Sequence, residues 1–212
     1  MANGMWRESV YSGTLRPKTT NLITGSMLND ILDTLATTVR GNMNSISNIH
    51  SVNQITPGIF LGDKYAAKDK KFLLQHGFTH ILNAAEGLDE YQVNTNQQYY
   101  TPLKIKYMGI PGHDRPSWNI SVYFEQAAKF IDSAIRSGGK VLVHCVVGIS
   151  RSATLVIAYL MIFQNMDAID ALQFVFRRRR IFPNVGFLNH LAHLNTILTN
   201  KKVVRGSSKY HL

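Results

Sequence analysis

Short apolar runs alternate with amphipathic stretches along most of the chain, and this alternation predicts its elements. Val141-Leu142-Val143 is a compact apolar run typical of a buried parallel strand, and Ile59-Phe60-Leu61 is similar. Further strands are predicted at residues 79–83 and around 105–108, and apolar residues at helical spacing predict helices at 65–75, 122–136, 151–164, 168–180 and 186–200. Strands that alternate with helices predict an α/β fold: a three-layer α/β/α arrangement with a central mixed, mostly parallel sheet flanked by helices.

The two ends of the chain depart from this pattern. Residues 1–25 are polar and aperiodic, which predicts a flexible N-terminal leader. From Ser26, apolar residues recur at positions 28, 31, 32 and 35, so residues 26–50 are interpreted as a docking helix and an Asn/Ser-rich linker. The main domain is then 51–200, followed by a basic C-terminal tail at 201–212.

Two polar segments interrupt the main domain. The Gln/Asn-rich stretch from Gln92 to Gln98 has few apolar residues, which predicts an exposed loop. Pro111-Gly112 breaks the strand that follows, and a turn-rich loop around Asp114 precedes the next helix.

Composition and charge exclude several classes of protein. The 212 residues, 45% of them hydrophobic, suffice for one domain, and no uninterrupted apolar run reaches the ~18 residues of a membrane span. The start of the chain has no apolar segment of the secretory type, and the single Cys145 cannot form an internal disulfide. We therefore expect a cytoplasmic protein that could also enter the nucleus.

The net charge of +10 is concentrated late in the chain. No acidic residue follows Asp170, whereas eight Lys or Arg do, half of them in the run Arg177–Arg180. Such a run could bind acidic lipids, nucleic acid or phosphorylated proteins, or it could be a solvated helix end. Because no zinc-finger, RNP or helix-turn-helix pattern is present, we expect no nucleic-acid partner.

The segment from Val141 to Ser152 carries the chemistry. Its apolar strand stops at Cys145, and a helix begins near Arg151. The backbone N–H groups of residues 146–151 can converge on one phosphate there, Gly148 permits the tight curl, and the Arg151 guanidinium can grip two phosphate oxygens. The same positive field lowers the pKa of a thiol, so Cys145 is a candidate nucleophile.

Each residue also has a plainer interpretation. A lone cysteine at the end of a strand is commonly core filler, and His144 could be an ordinary core histidine. Zinc binding by these two residues would need two further ligands at suitable spacing, and none is evident, so no metal and no cofactor are expected. Asp114 alone could be a helix cap.

The pattern H-C-x-x-G-x-S-R-S after an apolar strand resembles the signature of the cysteine-dependent protein tyrosine phosphatases. The similarity extends over roughly residues 27–200 and favours the small atypical dual-specificity phosphatases of the VHR type. The segments that carry it are PGIFLGD (57–63), HILNAAEG (80–87), the Asp114 loop, SRSATLVIAYLM (150–161) and FPNVGFLNHL (182–191).

The resemblance implies a catalytic domain at 51–200 and a two-step reaction. Cys145 attacks phosphorus to form a phosphocysteine, which water then hydrolyses, while Arg151 stabilises the phosphate oxygens. The family takes its general acid from an aspartate some thirty residues upstream of the cysteine. Asp114, which lies 31 residues upstream, occupies that place.

The resemblance also assigns supporting roles. Ser152 matches the hydroxyl that helps the thiolate leave in the second step, Ser150 supports the loop, and His144 orients and polarises the cysteine. Asn184 matches a side chain that steadies the phosphate loop. Arg179 matches an arginine beside the pocket that meets a second phosphate of the substrate.

Substrate specificity is less constrained by the resemblance. The substrate-binding residues of the loop are Val146, Val147, Gly148, Ile149 and Ser150, and three of them are apolar where VHR has charged and aromatic side chains. Phosphoproteins, MAP kinases among them, are the partners that the family suggests. The alternatives are a phosphoinositide or RNA 5′-phosphatase and a non-catalytic module that binds phosphoproteins.

Overall fold

A five-stranded sheet forms the centre of the protein in the computed structural model, which describes residues 22–41 and 51–207. The strands are β1 (Val52–Thr56), β2 (Ile59–Gly62), β3 (His80–Asn83), β4 (Lys106–Gly109) and β5 (Val141–His144), in the spatial order β1-β2-β5-β3-β4. Strands β2, β5, β3 and β4 are neighbours in this order and run parallel to one another. Strand β1 pairs antiparallel with β2. The predicted mixed, mostly parallel sheet is thereby confirmed.

Eight α-helices surround the sheet. They are α1 (Gly25–Gly41), α2 (Lys64–Lys68), α3 (Lys70–Gln75), α4 (Gln97–Tyr100), α5 (Phe124–Arg136), α6 (Arg151–Phe163), α7 (Ala168–Phe176) and α8 (Val185–Ser207), counted within the described residues. None of these helices has the length and apolar character that crossing a bilayer requires.

A separate hydrophobic core covers each face of the sheet, so that helices, sheet and helices form three layers. Side chains of a strand point alternately to opposite faces, so Val141 and Val143 join the large core beneath α5, α6, α7 and α8, whereas Leu142 joins the smaller core beneath α2 and α3. Helix α6 lies at the centre of the large core, and every residue from Arg151 to Met161 is buried. Its first turn is therefore held rigidly at the carboxyl end of β5.

The helix predicted from Ser26 is α1. Leu28, Ile31 and Leu32 are buried, and the helix packs mainly against α8. Helix α8 itself runs to Ser207, so the segment interpreted as a tail begins as helix. The predicted leader up to residue 21, the linker at 42–50 and the last five residues lie outside the described residues.

Several predicted boundaries need correction. The helix expected at 65–75 is two helices, because Asp69 leaves helical geometry and accepts a hydrogen bond from the Phe72 N–H to cap α3. The stretch expected to be an exposed loop, Gln92–Gln98, buries Val93 and Thr95 and leads into α4. The helix expected at 168–180 ends at Phe176.

Candidate active site

The loop between β5 and α6, here called the phosphate loop (residues 145–151), lies at the carboxyl end of the parallel strands. Gly148 at its apex has φ +78°, a left-handed conformation that side chains disfavour. A Cβ atom there would lie 2.2 Å from the carbonyl oxygen of Gly62 at the end of β2. The tight curl predicted from the sequence therefore requires glycine at this position.

Four consecutive carbonyl groups of the loop accept hydrogen bonds from the surrounding framework. The donors are the Lys64 N–H to Val146 (3.1 Å), Arg179 Nη2 to Val147 (2.9 Å), Arg179 Nε to Gly148 (2.6 Å) and the Phe182 N–H to Ile149 (2.8 Å). Because these carbonyl groups are bonded to the framework, the N–H groups of the loop are available to bind an anion, and the Gly148 N–H donates to Cys145 Sγ.

Cys145 follows β5, and only 2% of it is exposed. Its Sγ accepts hydrogen bonds from the Gly148 N–H at 3.2 Å and from Ser152 Oγ at 3.3 Å. Burial raises the pKa of the Cys145 thiol, but the Arg151 charge and the hydrogen bonds from Ser152 and Gly148 outweigh burial, so the pKa lies below its ordinary value. The sulfur is thus prepared to be a thiolate.

Arg151 is buried in the first turn of α6. Its Nη1 donates to the carbonyl oxygens of Tyr91 at 2.8 Å and Gly112 at 2.9 Å. Its Nε lies 3.6 Å from Asp114 Oδ2 and has no hydrogen-bond partner among the described residues, which leaves a donor for a bound anion. The sequence analysis missed Tyr91 and Gly112, because they act through backbone carbonyls that no residue-type pattern marks.

Asp114 lies on a loop that approaches the phosphate loop from the β4 side. Its Oδ1 accepts hydrogen bonds from Ser150 Oγ and from Asn184 Nδ2, both at 2.8 Å. Asn184 also caps α8 by accepting from the Phe187 N–H. The structure thus brings Asp114 to the site as expected, but the Asn184 side chain contacts Asp114, whereas we expected it to steady the phosphate loop.

His144, the last residue of β5, is fully buried beside Cys145. Its Nδ1 lies 3.3 Å from the Cys145 carbonyl oxygen. Burial lowers the pKa of His144 to about 4, so the imidazole is neutral near pH 7. A neutral ring can orient the cysteine but adds no positive charge to the site.

Arg179 is buried against the phosphate loop. Only 3% of it is exposed, and its guanidinium contacts the loop carbonyl groups of Val147 and Gly148 and the Asn53 side chain. A group in this position supports the loop, and the contact of Arg179 with a second phosphate of the substrate stays a prediction. Sequence reasoning missed Asn53, which lies 126 residues away in β1.

This fold and this anion-binding loop define a phosphoric monoester hydrolase, and comparison with known proteins identifies the family. Residues 59–197 match the family model described as "Dual specificity phosphatase, catalytic domain". The chain belongs to the dual specificity phosphatases, and the resemblance seen in the sequence is confirmed. As a member it is an enzyme, a dual specificity protein phosphatase.

Similar proteins of known sequence and structure support this assignment. The chain is 44% identical over 153 residues to human dual specificity protein phosphatase 13B, covering 72% of this chain and 76% of that protein. The mouse protein of the same name is 45% identical over 148 residues, with 69% and 74% covered. The crystal structure of human tyrosine phosphatase-like serine/threonine/tyrosine-interacting protein is 37% identical with a TM-score of 0.62, covering 70% of this chain and 97% of that one.

Proposed function

We propose that Cys145 is the nucleophile through which this dual specificity phosphatase acts on phosphotyrosine and on phosphoserine or phosphothreonine. Its sulfur attacks phosphorus, the bond to the substrate oxygen breaks, and a phosphocysteine forms. The observation that carries this proposal is the position of Sγ, which accepts hydrogen bonds from the Gly148 N–H and from Ser152 Oγ at the base of the loop. Arg151 supplies the positive charge that stabilises the phosphate oxygens.

Asp114 is the proton carrier in this proposal. It gives a proton to the departing substrate oxygen in the first step and takes one from the attacking water in the second. As water attacks, the P–S bond breaks, and the Ser152 hydroxyl stabilises the released thiolate by donating to it. The contact between Asp114 and Ser150 supports this role, because it places the carboxyl group against the phosphate loop.

The substrates we propose are intracellular phosphoproteins, with doubly phosphorylated MAP kinases as the specific candidates. The exposed side chains beside the pocket favour protein over phosphoinositide or RNA 5′-phosphate. Tyr91, Val147 and Phe182 are 71%, 51% and 42% exposed, and all three are apolar or aromatic, whereas a highly charged headgroup calls for basic side chains.

Two experiments test this proposal. Phosphate release from phosphopeptides, phosphoinositides and a 5′-triphosphorylated RNA is measured with malachite green, and we expect turnover of the peptides only. The Asp114→Ala variant is then used to trap phosphoproteins from lysate, with the double variant Asp114→Ala/Arg151→Ala as the control that cannot hold phosphate. Faster release from phosphoinositide than from any peptide would contradict the protein-phosphatase substrate range.

A further inference from the structure

The phosphate loop is held on its outer side by one side chain and two backbone N–H groups. Of the four ties to the carbonyl groups of residues 146–149, Lys64 and Phe182 supply one each through their own N–H groups. Arg179 supplies the other two, to Val147 and Gly148, at the apex of the curl. The apex residue Gly148 also donates its N–H to Cys145 Sγ, so the position of Arg179 bears directly on the sulfur.

Arg179 in turn is fixed by the edge strand of the sheet. Its Nη1 donates to Asn53 Oδ1 at 2.7 Å. Asn53 lies in β1, opposite Leu61 of β2. Strand β2 ends at the next residue, Gly62, and Gly148 packs closely against the Gly62 carbonyl. A buried guanidinium needs its donors satisfied in a fixed planar geometry, and Asn53 supplies an acceptor at the end remote from the loop.

We propose that Asn53 is a positioning residue for catalysis, which acts by orienting Arg179 and thereby sets the geometry of the phosphate loop around Cys145. This inference rests on the proposed role of Cys145 as the nucleophile. Burial lowers the pKa of Arg179, while the negative charges of Asp63 and Cys145 oppose that effect, so the guanidinium is electrostatically coupled to the thiolate as well as joined to the loop.

The chain offers a matched control on the same strand. Gln54 is the next residue of β1 and is exposed, and its side-chain amide donates to the Thr56 carbonyl oxygen of its own strand at 3.3 Å. Asn53→Ala and Gln54→Ala both remove a side-chain amide from β1, and only the first removes a side-chain acceptor of Arg179. Asn53→Asp keeps an acceptor oxygen at the same place and is the conservative rescue.

The experiment on the purified full chain measures the thiol pKa from the pH dependence of iodoacetate inactivation, kcat and KM for para-nitrophenyl phosphate and for a doubly phosphorylated peptide, and the thermal midpoint. For Asn53→Ala we expect kcat/KM to fall about 3- to 10-fold and the thiol pKa to rise, because the Gly148 N–H no longer holds its place on the sulfur. Gln54→Ala should match wild type, and Asn53→Asp should recover most of the loss. If Asn53→Ala folds poorly, the same quantities are measured for Arg179→Lys, which keeps the positive charge but lacks the planar guanidinium. We expect its loss of kcat/KM to be larger than that of Asn53→Ala.

Three outcomes would overturn the proposal. A lower thermal midpoint with unchanged thiol pKa and kcat/KM would reduce Asn53 to a purely structural role. A loss seen only with doubly phosphorylated peptides would return Arg179 to substrate binding. Equal losses in Asn53→Ala and Gln54→Ala would assign the effect to the strand. Failure of iodoacetate to inactivate the wild-type enzyme would instead contradict the nucleophile assignment itself.

Discussion

The two loops that form the site are held in opposite ways. The phosphate loop is buried and fixed through its backbone, with Cys145 only 2% exposed and its carbonyl groups tied to the framework. The loop that carries Asp114 is polar and solvent-facing, and the Asp114 side chain is 32% exposed. Asp114 is held by two side-chain donors, Ser150 and Asn184, and such hydrogen bonds exchange readily with water or with a ligand.

This difference corresponds to two requirements of the chemistry. An anion-binding loop stabilises charge best when its dipoles are oriented in advance, so it benefits from rigidity. A proton carrier must face the leaving oxygen in one step and a water in the next, so it benefits from contacts that can be exchanged. We expect substitutions in the phosphate loop to affect all substrates and those around Asp114 to depend on the leaving group.

The largest effect is expected at the nucleophile. Cys145→Ser should abolish turnover while leaving phosphate binding largely intact, because the binding groups are backbone amides and Arg151. Steady-state assays with para-nitrophenyl phosphate, paired with inorganic phosphate binding by calorimetry, separate the two. Residual activity above about a thousandth of wild type would contradict a covalent mechanism at this sulfur.

A large but substrate-dependent effect is expected at the acid. Asp114→Asn should lower kcat by ~10²–10⁴-fold on phosphoserine peptides, whose alkoxide leaving group needs a proton, and less on substrates with good leaving groups. The pH–rate profile should lose its basic limb. If that limb persists on a poor leaving group, another residue donates the proton.

Two glycines with similar backbone angles sharpen the contrast between rigid loop and ordinary turn. Gly148 (φ +78°) would place a Cβ 2.2 Å from the Gly62 carbonyl oxygen, whereas a Cβ on Gly77 (φ +68°) would meet nothing within 4 Å. Gly148→Ala should lower kcat/KM at least ten-fold, because the curl must open. Gly77→Ala should cost about 1–2 kcal/mol of stability and leave kcat/KM unchanged. Denaturant titrations alongside kinetics measure both, and equal kinetic losses would refute the distinction.

A several-fold effect is expected from the tether of the acid loop. Asn184→Ala removes a donor to Asp114 and also the cap of α8, whereas Asn184→Asp keeps the cap acceptor and places a like charge beside Asp114. Both variants should lower kcat on phosphoserine peptides, and only Asn184→Ala should lower the thermal midpoint. A kinetic loss confined to the alanine variant would mean that the helix cap, and not the tether, matters.

Of these residues, His144 is expected to have the smallest effect on the rate. Its main effect is on how the stability of the protein depends on pH. An unfolded histidine binds a proton below its ordinary pKa of about 6.5, but the buried ring does not until about pH 4. The unfolded state therefore holds more protons in this window, and stability falls as the pH drops, by about 2 kcal/mol at pH 5 from this residue. Urea titrations at pH 7 and pH 5 should show a smaller difference in the His144→Asn variant than in wild type. Identical differences would show that the ring is not buried in its neutral form.

The local parts of the site could be predicted from the sequence. The strand, the loop and the start of the helix are contiguous from Val141 to Ser152. Their residue types therefore indicate both the local fold and the chemistry of the loop. Asp114 could be placed because its spacing from Cys145 matches the family. The alternation of apolar runs likewise predicted four of the five strands and the layers of the fold.

Long-range contacts between polar groups could not be predicted in this way. Arg179 belongs to a run of four arginines that reads as a charged surface, and its burial depends on acceptors contributed by the phosphate loop and by Asn53. Strand β1 was missed because Val52–Thr56 is largely polar and becomes a strand only by pairing with β2. Thr95 is buried within the Gln/Asn-rich stretch because Asn83 donates to its hydroxyl oxygen.

Cys145 is the only cysteine among the 212 residues, and this has a consequence for oxidative inactivation. Peroxide converts a low-pKa thiolate to a sulfenic acid, which a neighbouring thiol commonly captures as a disulfide before further oxidation. Within this sequence no such thiol exists. A main-chain nitrogen of the loop could instead condense with the oxidised sulfur to form a sulfenamide. Recovery therefore depends on a thiol supplied from solution, in competition with irreversible conversion to the sulfinic acid.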